Sequence, residues 1–98
     1  MIQIIYRWKV AEENRTDFIA AWSKTTRNIR DTTEGARGSF CIVSMTDPTE
    51  ILTVAKWDHI EQWREFVKTA KSSSMSEMHA LGKQVSHAEY EQVGDFTV

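Results

Sequence analysis

A few side chains in this sequence have types and spacings that could do chemistry. They are Arg7 in the opening segment, the histidines His59, His79 and His87, and the tryptophans Trp57 and Trp63, six residues apart. An arginine carries a fixed charge and a planar fork of donors, which suits it to hold an anionic oxygen. A histidine takes or gives a proton near neutral pH. Two tryptophans close in sequence can wall a pocket for a flat ligand. Each has an ordinary alternative: Arg7 as an arginine snorkelling from a strand end or pairing at an interface, His79 as an exposed helix residue, Trp57 and Trp63 as core. The histidines do not form an i, i+4 pair, so a metal site built from His59 and His79 would depend on the fold, and no metal site is expected. No dinucleotide fingerprint, phosphate-binding glycine loop or nucleophile elbow occurs, which removes nicotinamide, nucleotide and α/β-hydrolase chemistry.

The elements that must position these residues follow from periodicity. Residues 2 to 10 alternate, with Ile2, Ile4, Tyr6, Trp8 and Val10 on one face and Arg7 on the other, which predicts a strand. From Asn14 the spacing lengthens to three and four: Phe18, Trp22, Thr25 or Thr26, and Ile29 predict an amphipathic helix ending near Thr33, with Gly35 as its stop. RGSFCIVSMT at 37 to 46 and ILTVAKW at 51 to 57 read as strands joined through DPTE, a hairpin. Asp58 and Glu61 form an acidic variant of the capping box, predicting a helix from about Asp58 to Thr69. After a polar break at Lys71 to Ser74, the pair Ser74 and Glu77 predicts a short helix carrying Met75, Met78, His79 and Leu81 and closing near Gly82. The segment from Gln84 to Phe96, with Val85, Tyr90, Val93 and Phe96 among polar residues, predicts a last strand.

This order, β-α-β-β-α-(α)-β, is the split β-α-β of ferredoxin-like α+β folds: one four-stranded antiparallel sheet with its helices on a single face. Apolar residues lie on both faces of the second and third strands, with Phe40 and Ile42 opposite Cys41, Val43 and Met45. The face without helices therefore needs a cover, and a second copy packing sheet to sheet predicts a homodimer.

Ninety-eight residues with one proline, 41% hydrophobic and 27% charged, describe one folded domain spanning 1–98. Twelve basic against fourteen acidic side chains give a formal charge of −2, which supplies no field for nucleic acid or anionic lipid. The single cysteine, Cys41, lies in the apolar run SFCIV and reads as a buried small hydrophobe. The opening MIQIIYRWKV lacks the pattern of a secretory leader, and no run of about 18 apolar residues occurs, so a cytoplasmic protein without membrane association is expected.

The chain resembles the antibiotic biosynthesis monooxygenase family of the dimeric α+β barrel type. The resemblance is carried by the element order, by F-x-x-x-W at Phe18 to Trp22, and by EG-x-x-G-S-F at 34 to 40. K-W-D at 56 to 58, leading into a helix with Trp63 and Phe66, carries the rest. It covers nearly the whole chain, although each motif is short. It implies two sheets closing into a barrel across a dimer, with a pocket in each subunit between sheet and helices. It also implies a cofactor-independent monooxygenase acting on a small quinol- or phenol-like aromatic. Such chemistry needs an apolar cavity and a base or donor that favours the phenolate, whose electrons then pass to oxygen. On that footing Arg7 and His79 are the catalytic candidates, and Tyr6, Trp57, Trp63 and Phe66 the substrate-binding ones. Two other functions stay open: a non-catalytic small-molecule-binding barrel, and haem binding through His79 as in haem-degrading relatives, from which the chain departs by carrying Arg7 where they carry an asparagine.

Overall fold

The computed structural model describes residues 1–69 and 74–97. Its elements are β1 (Ile2–Lys9), α1 (Arg15–Thr32), β2 (Ala36–Val43), β3 (Glu50–Trp57), α2 (Ile60–Lys68), α3 (Ser76–Leu81) and β4 (Lys83–Glu91). The strands form one antiparallel sheet in the order β2-β3-β1-β4. This is the ferredoxin-like α+β fold expected from the element order.

Register makes the alternation of β1 a division between two environments. Ile4, Tyr6 and Trp8 pair with Ala55, Thr53 and Ile51 of β3 on the helix side. Ile4, Trp8 and Ile51 are fully buried there, and Phe18 of α1 closes over them. The Trp8 and Phe18 rings meet edge-on at 5.1 Å, and Trp8 Nε1 donates to Thr53 Oγ1 at 3.1 Å, so the indole's one polar atom is satisfied inside the core. Helix α1 buries Phe18, Ala21 and Thr25, and the expected Trp22 and Ile29 pack partly buried against the core. It stops where Thr33 turns extended and its N–H closes on Ile29 O at 2.9 Å.

Four boundaries differ from expectation. The first residue of α2 is Ile60, and the box at its start is made by His59 and Gln62: Gln62 Oε1 accepts from His59 N at 3.0 Å. Asp58 is drawn instead into a two-pronged pair with Arg37, at 2.9 and 2.7 Å, and that guanidinium holds the Asp58 carboxyl below its usual range. Helix α3 begins at Ser76 without a side-chain cap; Ser74 offers only its carbonyl, to Thr25 Oγ1 at 3.4 Å. The rest of the expected break, 71 to 73, lies outside the described residues. Strand β2 ends at Val43 because Ser44 Oγ accepts from the N–H groups of Thr46 and Asp47, so Met45 is fully exposed on a turn. Strand β4 ends at Glu91. Beyond it Asp95 Oδ1 takes the Thr97 N–H at 2.9 Å, a local bond that competes with pairing, and Val93 and Phe96 are left exposed.

On the other face of the sheet, Phe40, Ile42 and Tyr90 are about half exposed (43%, 48% and 56%), while Val54 among them is buried. Ile5 and Leu52 extend this apolar surface. No helix among the described residues is long and apolar enough to cross a membrane.

Candidate functional site

Tyr6 sits in the middle of β1, and the parity of that strand points its ring at the helices, where it is 8% exposed. Trp63 enters from α2. Its Nε1 donates to Tyr6 Oη at 2.9 Å. Burial pushes the Tyr6 phenol above its ordinary pKa, and the Trp63 bond opposes that shift more weakly, so Tyr6 stays protonated at neutral pH.

Two hollows lie on either side of this pair, and Tyr6, Phe66 and Met75 line both. The inner one, about 50 Å³, lies between α1 and the β2-β3 half of the sheet, walled by Trp22, Ile29, Ala55 and Trp57. Its polar fittings are already engaged: Trp22 Nε1 donates to Ser39 Oγ at 2.8 Å, and Ser39 shares a hydrogen bond with Thr26 at 2.9 Å. The outer one, about 230 Å³, opens between α2, α3 and β4 and is lined further by Trp63, Val67, His79, Gln84 and His87. A larger hollow of about 390 Å³ lies beside the start of α2, but Glu34, Glu61 and Glu65 on its walls make it a poor place for an apolar ring.

The structure brings most of the expected residues together. Trp57, 2% exposed at the end of β3, packs on Phe66 with ring centres 5.5 Å apart. Trp57 faces the inner hollow, Trp63 the outer one, and Tyr6 and Phe66 form the partition. His79 lines the outer hollow from α3, with its ring 5.1 Å from Trp8. Arg7 is not brought to this group. It projects from the opposite face of the sheet, 55% exposed, with Nε 3.6 Å from Glu50 Oε1. The expected grouping of Arg7 with His79 in one cavity therefore does not form within the chain, because strand parity puts the sheet between them. His59 is spent at the α2 cap.

Sequence reasoning noted His87 as a histidine and gave it no place in the site. It pairs in register with Tyr6 across β1 and β4, and its ring lies 6.2 Å from Tyr6 and 5.6 Å from Trp63. Alternation along β4 was the only available signal. Among the described residues, no group of three or more His, Cys, Asp or Glu side chains could hold a metal ion. The hollow beside His79, about 230 Å³, is smaller than the roughly 300–1,000 Å³ typical of cofactor and drug-sized ligand sites.

An antiparallel sheet with helices on one face and aromatic-walled hollows between the layers defines the class, a ferredoxin-like α+β domain with an interlayer cavity. The chain belongs to the antibiotic biosynthesis monooxygenase family, whose model matches residues 1–79. No curated protein sequence matches it. Among solved structures it is similar to a protein of this monooxygenase type from Bordetella bronchiseptica (TM-score 0.81, 18% identity, covering 94% of this chain and 96% of that one). It is also similar to SnoaB, a cofactor-independent oxygenase from Streptomyces nogalater (TM-score 0.72, 11% identity, 97% and 95%). A third is a Bacteroides thetaiotaomicron protein described as a possible oxidoreductase (TM-score 0.75, 21% identity, 93% and 96%). At these identities the likeness establishes the fold.

Proposed function

We propose that this protein is a cofactor-independent monooxygenase that oxidises a small quinol- or phenol-like aromatic between its sheet and helices. The observation that supports this reading best is the partition of Tyr6, Phe66 and Met75 between two aromatic-walled hollows, with Trp57 behind it and Trp63 in front. A flat ring placed there would be held by apolar contact and screened from water. Loss of the hydroxyl proton leaves a phenolate rich enough in electrons to reduce oxygen itself, so the protein's tasks are to bind, orient and take a proton. A histidine of the outer hollow, His79 in the sequence reading, has suitable chemistry for that proton near pH 7. The family match and the resemblance to an oxygenase named as cofactor-independent favour this chemistry over a haem-dependent one.

Oxygen consumption with a panel of quinols and anthrone-like phenols tests the reading, and uptake that depends on Trp63 is the expected result. Binding of these compounds with no uptake by any of them would replace it with a non-catalytic binding role.

The working unit in this proposal is a homodimer. Phe40, Ile42 and Tyr90, each about half exposed, leave with Ile5 and Leu52 a cluster of apolar side chains on the helix-free face, the kind of surface that marks an interaction site. Sheet-to-sheet pairing would bury it, and it would also carry Arg7 and Glu50 into the interface region. Small-angle scattering at micromolar concentration should return twice the 11.3 kDa chain mass, and Ile42→Lys should shift the population towards 11.3 kDa. A wild-type monomer under these conditions would overturn the assignment.

A further inference from the structure

The hydrogen bond between Trp63 and Tyr6 determines what Tyr6 can offer. Trp63 Nε1–H fills an acceptor position on Tyr6 Oη, so the phenol's own proton is left to donate elsewhere, and among the described residues nothing accepts it. Beside that donor stands His87, in ring contact with both partners and able to accept a proton through whichever imidazole nitrogen is unprotonated. Donor and acceptor thus face one hollow of about 230 Å³, whose remaining walls include the apolar side chains of Phe66, Val67 and Met75.

We propose that the outer hollow binds a hydroxylated aromatic ring by ionising it, with His87 as the proton acceptor and Tyr6 as the donor to the phenolate oxygen. The O–H bond of the ligand breaks, an N–H bond forms on His87, and the electron pair stays on the ligand oxygen, where it accepts from Tyr6 Oη–H. His87 takes this role in place of His79 because the His79 ring lies against Trp8, whereas His87 touches both members of the Tyr6 and Trp63 pair. The titratable and charged groups facing His87 are Tyr6 from β1, His79 from α3, and the Arg64 and Glu89 ion pair of α2 and β4, two residues along the strand. The inference deepens the proposed oxygenase, but its binding step stands without turnover.

p-Nitrophenol tests it directly, because its phenolate absorbs visible light and the neutral form does not. Bound to the wild-type protein just below the pH at which the free compound ionises, it should appear as phenolate. His87 is exposed, so His87→Gln should fold normally. It should leave the bound probe neutral and weaken binding about tenfold, the equivalent of one pKa unit. Glu13→Gln, exposed before α1 and outside the hollow, should bind as wild type. Tyr6→Phe should weaken phenolate binding while keeping the ring. In turnover, His87→Gln should lower kcat/KM by roughly 10²-fold or more, the range for loss of a general base.

The proposal is overturned if the wild-type protein does not bind the probe as phenolate. It is also overturned if His79→Gln, and not His87→Gln, abolishes that signal. Ionised binding with no oxygen uptake by any phenol would sink the oxygenase reading and leave this site standing. Uptake unchanged by His87→Gln would do the reverse.

Discussion

Trp8→Ala should lower the unfolding free energy by about 3–5 kcal/mol, the range for removing a large aromatic from a packed core. Trp8 is fully buried, its ring meets Phe18 at 5.1 Å, and its Nε1 is bonded to Thr53. Truncation therefore leaves a cavity over the centre of β1. It also leaves Thr53 Oγ1, on a residue only 3% exposed, without that donor, a cost of about 1–3 kcal/mol for a buried polar group. Small domains have only about 5–15 kcal/mol in total, so the loss takes a large share. Urea unfolding at fixed chain concentration should show a much lower midpoint with little change in slope. Trp8→Phe separates the two contributions, since it restores most of the ring and not the donor. A loss under 1 kcal/mol for Trp8→Ala would mean that the contacts around Phe18 are not the centre of the core.

Gly35→Ala should cost about 2–3 kcal/mol from two sources at one position. Gly35 has φ of +86°, where a side chain adds roughly 1–2 kcal/mol of strain. A Cβ there would stand 1.9 Å from Gln62 Oε1, so the Gln62 side chain must swing away and give up its bond to His59 N. A hydrogen bond of this kind contributes about 0.5–1.5 kcal/mol. The position also ties two junctions together, because Gly35 O accepts from Asp58 N at 2.9 Å just before α2. Gln62→Ala combined with Gly35→Ala removes the collision and leaves the backbone strain. The double variant should therefore be less destabilised than the two single losses added together, and strict additivity would show that Gln62 does not restrain the site. Because Trp63 follows Gln62, loosening this end of α2 should also weaken the Trp63 to Tyr6 bond, visible as altered indole fluorescence.

Much of the scaffold was legible before any coordinates. Alternation in β1 named the buried face, Ile4, Tyr6 and Trp8, and the three-and-four spacing of Phe18, Trp22, Thr25 or Thr26, and Ile29 named the inner side of α1. Both periods are local consequences of backbone geometry, written into consecutive residues. Phe40 and Ile42 opposite Cys41 and Val43 likewise marked β2 as apolar on both faces. Local signals misled at ends where two partners compete. Asp58 and Glu61 make an acceptable cap on paper, yet Arg37, 21 residues earlier, claims Asp58, and His59 with Gln62 takes over. Val93 and Phe96, apolar among polar residues, extended the expected strand, but Asp95 bonds the Thr97 N–H locally and β4 stops at Glu91.

The site divides in the same way. Type and spacing raised Trp57 and Trp63 as a wall, the family resemblance added Tyr6 and Phe66, and strand parity already set Arg7 against Tyr6. Only the tertiary structure decided that Trp63 bonds Tyr6, that His79 rests on Trp8, and that His87 stands beside the phenol. Those facts depend on the register of β4 on β1 and on which end of α2 lies over the sheet. Register is the sum of contacts between residues far apart in sequence, 81 positions for Tyr6 and His87, and no short window of sequence contains it.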